Sequence, residues 1–134
     1  MATYNKFNCF EGDIGLKLHN LNTDVLKIYL TNTAPVATNT VYNTPADLAT
    51  SGGYTAGGSS VTNAFSQSAG TGTLSGSNVV FTATTGFGPF RYAVLYNSTS
   101  GTQPLIGWWD YGSAVTLAAS ETFTVALTTI LTIA

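Results

Sequence analysis

Charge is what this chain of 134 residues has least of: Lys, Arg, Asp and Glu together make up 7% of it, against about 25% in an average soluble domain. The four basic residues, Lys6, Lys17, Lys27 and Arg91, are scattered along the sequence. No patch can therefore neutralise several phosphates at once, which argues against nucleic acid as a partner and, by the same reasoning, against anionic membrane surfaces. Cysteine is almost missing too. Cys9 stands alone, so no internal disulfide can form, and its neighbours Phe7 and Phe10 read it as a small apolar filler. A single histidine, His19, leaves no Cys/His set for zinc. Long apolar runs are absent: "VALTTILTIA" is about half of the roughly twenty residues a membrane helix needs. The first residues, "MATYNKFNCFEGD", lack the apolar centre of a secretory signal, so synthesis in a cytoplasm is expected.

What is present argues for one well-packed domain. Hydrophobic residues make up 44% and the net charge is −2, a balance that favours folding over disorder. A chain of this length buries roughly 65–70% of its unfolded surface, so residues 1–134 are read as a single domain that needs neither metal nor cofactor. Its polarity comes from Thr, Ser and Asn. Hydroxyl and amide surfaces repel one another weakly at long range, which suits a protein that packs against copies of itself or against a lattice.

Periodicity gives the fold class. "DVLKIYLT" sets Leu26, Ile28 and Leu30 on one face, and "NVVFTAT" does the same with Val79, Phe81 and Ala83. "RYAVLYN" is apolar on both faces, the mark of a central strand. "SAVTLAA" and "ETFTVAL" alternate again, placing Val115, Leu117, Phe123, Val125 and Leu127 inward, and "ILTIA" reads as a closing edge. Turn signals such as "GTLSGSN", "STSGTQP" and "DYGS" separate these runs. The pattern predicts an all-β, antiparallel, jelly-roll-like sandwich with one or two short helices. One helix is expected to start at Thr44, with Pro45 in its first turn, and a weaker one to span Glu11 to His19.

From Thr31 to Gly58 the sequence reads as one long connection, the kind of segment that is usually functional or interfacial. Within it "GGYTAGG" sets Tyr54 between glycine pairs, either as a ring presented to a partner or as a lid folded onto the sandwich end. Trp108 and Trp109 are adjacent, so in a strand they point to opposite faces and cannot form one platform. Simple alternation pairs Ile106 with Trp108 and Leu105 with Trp109. The expected contact residues are Tyr54, the "GFGPF" turn with Phe87 and Phe90, and whichever of Trp108 and Trp109 faces outward.

Candidates for chemistry are few. His19 has no nucleophile beside it in sequence, and Glu11 with Asp13 lacks the glycine turn and distal Glu of a calcium loop. "GTGTLSG" and "GGYTAGG" are not followed by the Lys of a phosphate loop. No catalytic, metal or cofactor residue is assigned, and a non-enzymatic role is expected. A carbohydrate-binding module, gripping a sugar on an outward tryptophan with Asp110 and Gln103 as polar partners, is the alternative.

Four segments, "HNLNTDVLKIYLTNTAP", "ADLATSGGYTAGG", "NVVFTAT" and "FRYAVLYNSTSGTQPLIGWWDYGSAVTLAASETFTVAL", resemble in sequence and order a family of small virion structural proteins of tailed bacteriophages. Some members of that family are head decoration, or cement, proteins. The resemblance is strongest from Phe90 to Leu127 and adds little before His19. It implies a subunit on the capsid exterior that binds the major capsid protein, as a homo-oligomer, dimer or trimer, with tail or adaptor placement as the other location. It brings no catalytic residues with it.

Overall fold

The computed structural model describes residues 3–134. Among these residues ten strands form, β1 Thr3–Lys6, β2 Leu26–Thr31, β3 Ser59–Ser60, β4 Asn63–Ser68, β5 Thr71–Gly76, β6 Val79–Thr82, β7 Gly86–Asn97, β8 Leu105–Ala118, β9 Thr122–Val125 and β10 Thr129–Ile133. One short helix, α1 at Phe10–Gly15, and a 3₁₀ turn at Thr44–Ala46 complete the secondary structure. Both helices fall where the sequence places them, though shorter. Gly12 and Gly15 weaken the first, and at the second Asn43, not Thr44, is the residue before the first turn.

All strand pairs are antiparallel. A five-stranded sheet runs in the order β1-β8-β7-β2-β3, opposed by a three-stranded sheet β10-β5-β4 and a two-stranded sheet β6-β9. One apolar core draws on all three: Leu26, Ile28 and Leu30 of β2 meet Leu74 of β5, Phe81 of β6 and Val125 of β9. The result is the all-β sandwich that the alternation predicts. The strands between Ser59 and Gly76 escape a reading by apolar period, because "NAFSQS" and "TGTLSG" carry one large apolar residue each, Phe65 and Leu74.

β7 and β8 are the spine, and β7 is apolar on both faces as expected. Ala93 and Leu95 enter the main core, whereas Val94 and Tyr96 belong to a second cluster with Phe7, Tyr29 and Leu105 on the outer face. The tryptophans divide as their adjacency requires: Trp109 lies in the main core and Trp108 packs against the second cluster. Their companions are the reverse of the simple expectation. Ile106 joins Trp109 and Leu105 joins Trp108, because the β7–β8 register shifts between Leu95 and Tyr96. A bulge of this kind adds one residue to β8 and inverts the face of everything beyond it.

The segment 32–58 crosses the second cluster as a strap. "GGYTAGG" is not a pair of loose hinges: a Cβ at Gly52 would sit 1.7 Å from the Gly86 carbonyl oxygen and one at Gly58 would sit 1.8 Å from that of Ile28. Both have positive φ. Glycine is required there because backbone packs directly on backbone.

Candidate interaction surface

The residues expected to make contacts are mostly interior. Tyr54, Phe87, Phe90 and Trp109 are buried, Phe90 completely. Their rings support the surface from beneath, so the expectation that they touch a partner directly gives way to a structural role. Phe87 stacks on Phe90 at 5.9 Å, Phe90 meets Phe123 edge-on at 4.8 Å, and Tyr54 lies 5.5 Å from Phe87. Trp108 is the exception. It is partly exposed, with its ring centroid 4.5 Å from that of Phe7.

What organises the strap is a residue that pattern reading passed over. Asp47 is the only charged side chain between Lys27 and Arg91. Its carboxylate accepts hydrogen bonds from the Tyr42 hydroxyl (2.5 Å), the Tyr54 hydroxyl and the Gly57 backbone N–H (2.5 Å). The Tyr54 hydroxyl in turn accepts from the buried Leu30 N–H at 3.0 Å, and Tyr96 donates to the Gly57 carbonyl at 2.7 Å. Tyr42 stacks on Tyr96 at 4.7 Å and meets Tyr29 edge-on at 5.0 Å. Asp47 therefore ties the strap to itself, and two polar links, Leu30 N–H to the Tyr54 hydroxyl and the Tyr96 hydroxyl to the Gly57 carbonyl, pin it to the sheet, sparing buried polar groups an orphan's cost. Burial raises the ionisation of Tyr29, Tyr42 and Tyr54 well above the ordinary phenol range, with the Asp47 carboxylate adding to it, and pushes Tyr96 up to about 12. A lone acid flanked by Tyr42 and Tyr54 in a charge-free stretch is the sequence signal of this knot.

Between the strap and the sheet lies a cleft of about 510 Å³ floored by Phe7, Tyr29, Tyr42 and Leu105. Its walls carry Thr and Asn side chains, and no charged residue lines it. Val36 and Val41, 56% and 45% exposed, stand at its rim. Phe7, Tyr29 and Leu105 are each almost fully covered, and Tyr42, the partly exposed ring of the floor, stacks on Tyr96. Of the two polar partners considered for a sugar, Asp110 is engaged. Asp110 is held by the Arg91 guanidinium in a two-point contact at 2.8 and 3.2 Å and accepts the Gly112 N–H, and Gln103 sits in a turn at φ 52°. The Arg91 hydrogen bonds hold the Asp110 carboxyl below its usual range.

Reactive groups are absorbed in the same way. His19 is buried beside Phe10, and its Nδ1 meets the Asn97 side-chain amide at 3.0 Å. Cys9 is half-buried rather than fully enclosed, its thiol facing the Leu105, Thr40 and Asn39 carbonyls at 3.6–3.8 Å. Burial, reinforced by Asp13, pushes it up to about 11, which keeps it a poor nucleophile near neutrality. Glu11 and Asp13 lie in the first turn of α1, with Glu11 paired to Lys6. Among the described residues no group of three His, Cys, Asp or Glu side chains converges as metal ligands, and no helix is long and apolar enough to cross a membrane. Comparisons with protein-family models, with curated proteins and with solved structures give no match for this chain.

Proposed function

We propose that this chain is a head decoration, or cement, protein of a tailed bacteriophage: a jelly-roll-like subunit that docks on the capsid exterior and clamps neighbouring major capsid subunits. The observation that carries this reading is where the polar chemistry goes. Asp47, Asp110, Arg91 and His19 are all engaged in holding the fold together, which leaves a hydroxyl- and amide-rich exterior over a rigid sandwich. Such a surface supplies contact area, and clamping needs area. The sequence resemblance from Phe90 to Leu127 supports the same assignment.

The energetics suit multivalent docking. A contact of about 800 Å² per partner is roughly an eighth of the 6697 Å² surface. Its apolar burial contributes at most about 20 kcal/mol gross, much of it offset by ordering and desolvation. Affinity per site is then moderate, and a homo-oligomer that grips several shell subunits gains retention through effective concentration. The exposed rim of the strap, with Val36 and Val41, is the surface assigned to the shell.

Cryo-electron microscopy of virions carrying this protein tests the reading. Density outside the shell that bridges neighbouring capsid subunits, with the strap facing them, is the expected result. Density confined to the tail would replace cement by adaptor. Occupancy that collapses between low and moderate salt would refute a charge-poor interface.

A further inference from the structure

The loop between α1 and β2 is tied to the turn after β7 by a small polar cluster around Asn97, a residue with no exposed surface. The orientation of its amide is fixed. Asn97 Oδ1 accepts the backbone N–H groups of Thr99 (3.0 Å) and Ser100 (3.2 Å), and Nδ2 donates to Asp24 Oδ2 at 2.7 Å. The second Nδ2 hydrogen points to His19 Nδ1, 3.0 Å away and nearer than the Leu18 carbonyl at 3.5 Å, and an amide nitrogen has no lone pair with which to accept in return. Nδ1 must accept, so His19 is neutral with its proton on Nε2. That Nε2 is buried and finds no partner among the described residues.

Donor–acceptor arithmetic then gives this cluster a pH sense. A protonated imidazole carries hydrogens on both nitrogens, so Nδ1–H would face the Asn97 NH₂, donor against donor. Asn97 cannot turn its amide over to help, because that would strip Thr99 and Ser100 of their acceptor and set Oδ1 against the Asp24 carboxylate. We propose that His19, Asn97 and Asp24 form an acid-released clasp, closed while His19 is neutral and opened between the 16–25 segment and the 97–100 turn when it gains a proton.

The charged groups around His19 act against burial, and burial decides the direction. Asp13 on α1 and Asp24 before β2 both favour the imidazolium, and Lys17 lines the adjoining cavity of about 570 Å³. Burial outweighs the two carboxylates and lowers His19 from its ordinary 6.5. A base whose folded-state value is lowered contributes stability that is complete above 6.5 and is lost as the pH falls below it. Opening would release the other ties across the same seam, Val25 N–H to Thr99 Oγ1 at 2.8 Å and Ser98 N–H to the Val25 carbonyl at 2.9 Å.

Amide hydrogen exchange between about pH 7.5 and about pH 4.5, read as protection factors beside ¹⁵N shifts of the His19 ring, tests the clasp. The expected ring signal at neutral pH is the Nε2–H tautomer. Protection at Val25, Thr99 and Ser100 should fall on acidification by a factor bounded at about a hundred, since the lower pH lies about two units below 6.5. That loss should begin near 6.5 and level off as the ring of the folded protein is itself protonated. In His19→Asn, whose Oδ1 stands where Nδ1 does and can accept from Asn97 at any pH, the protection should persist in acid. An Nδ1–H tautomer, protection indifferent to pH, or a loss that begins only after the ring has titrated would each overturn the clasp. The same acid loss in His19→Asn would assign the effect to a carboxylate instead, and should that variant not fold, the pH range of the loss against the ring titration in the parent chain decides alone.

Discussion

Replacing Tyr54 by Phe removes one oxygen atom and should cost more than its size suggests. The ring stays, with its contacts to Phe81 and Phe87, so no cavity opens. What is lost is the acceptor for the buried Leu30 N–H and one donor to Asp47. An N–H left without a partner inside the protein costs about 1–3 kcal/mol. The Asp47 carboxylate is half-buried and keeps Tyr42 and Gly57, so its share is smaller, about 0.5–1 kcal/mol. Together the expected loss is about 1.5–4 kcal/mol, or roughly 5–15 °C in midpoint for a domain of this size. Urea unfolding followed by tryptophan fluorescence is the assay. The midpoint should fall with an unchanged slope, since the surface exposed on unfolding is the same. Tyr42→Phe is the control: its hydroxyl also reaches Asp47 but accepts from no buried backbone group, so about 1 kcal/mol is expected. If Tyr54→Phe costs under about 0.5 kcal/mol, or no more than Tyr42→Phe, the strap is not held by the knot described above.

Two further expectations rest on separate features. Gly58→Ala and Gly70→Ala both force alanine into positive φ (80° and 84°), yet only the first drives its Cβ into backbone, 1.8 Å from the Ile28 carbonyl oxygen, while nothing lies within 4 Å of the second. Thermal unfolding should show Gly70→Ala losing about 1–2 kcal/mol, and Gly58→Ala losing clearly more or failing to fold; equal losses would mean the strap yields easily there. In alkali, Tyr96 and Tyr111 are pushed up to about 12, and Tyr29, Tyr42 and Tyr54 higher still. A phenol raised in the folded state stabilises the fold below its unfolded value and ceases to do so as the pH climbs past about 10. Phenolate absorbance from these five should therefore appear together with the loss of folded fluorescence, and ionisation of most of the seven tyrosines in a still-folded protein would contradict the burial of these rings.

How much of this was legible beforehand depends on the physical range of each effect. Alternation is local, so "DVLKIYLT", "NVVFTAT" and "ETFTVAL" could be assigned inward faces from the sequence, and the fold places those residues in the main core. The adjacency of Trp108 and Trp109 determined that they part to opposite faces for the same reason. The low charge and the single cysteine likewise bound the chemistry from composition alone. Which companions each tryptophan receives depended on a register shift between β7 and β8, and a bulge is settled by pairing with another strand. The interior placement of Tyr54, Phe87 and Phe90, against their reading as contacts, likewise follows from where the strap and the β6–β7 turn meet. Asp47 and Asn97 stood in plain view as polar residues, but their roles need partners from Tyr42 to Gly57 in one case and from Leu18 to Ser100 in the other. Sequence period determines which side chains turn inward; only closure of the sandwich decides which buried donor finds which acceptor, because hydrogen bonds are set by distances of a few tenths of an ångström between segments far apart in the chain.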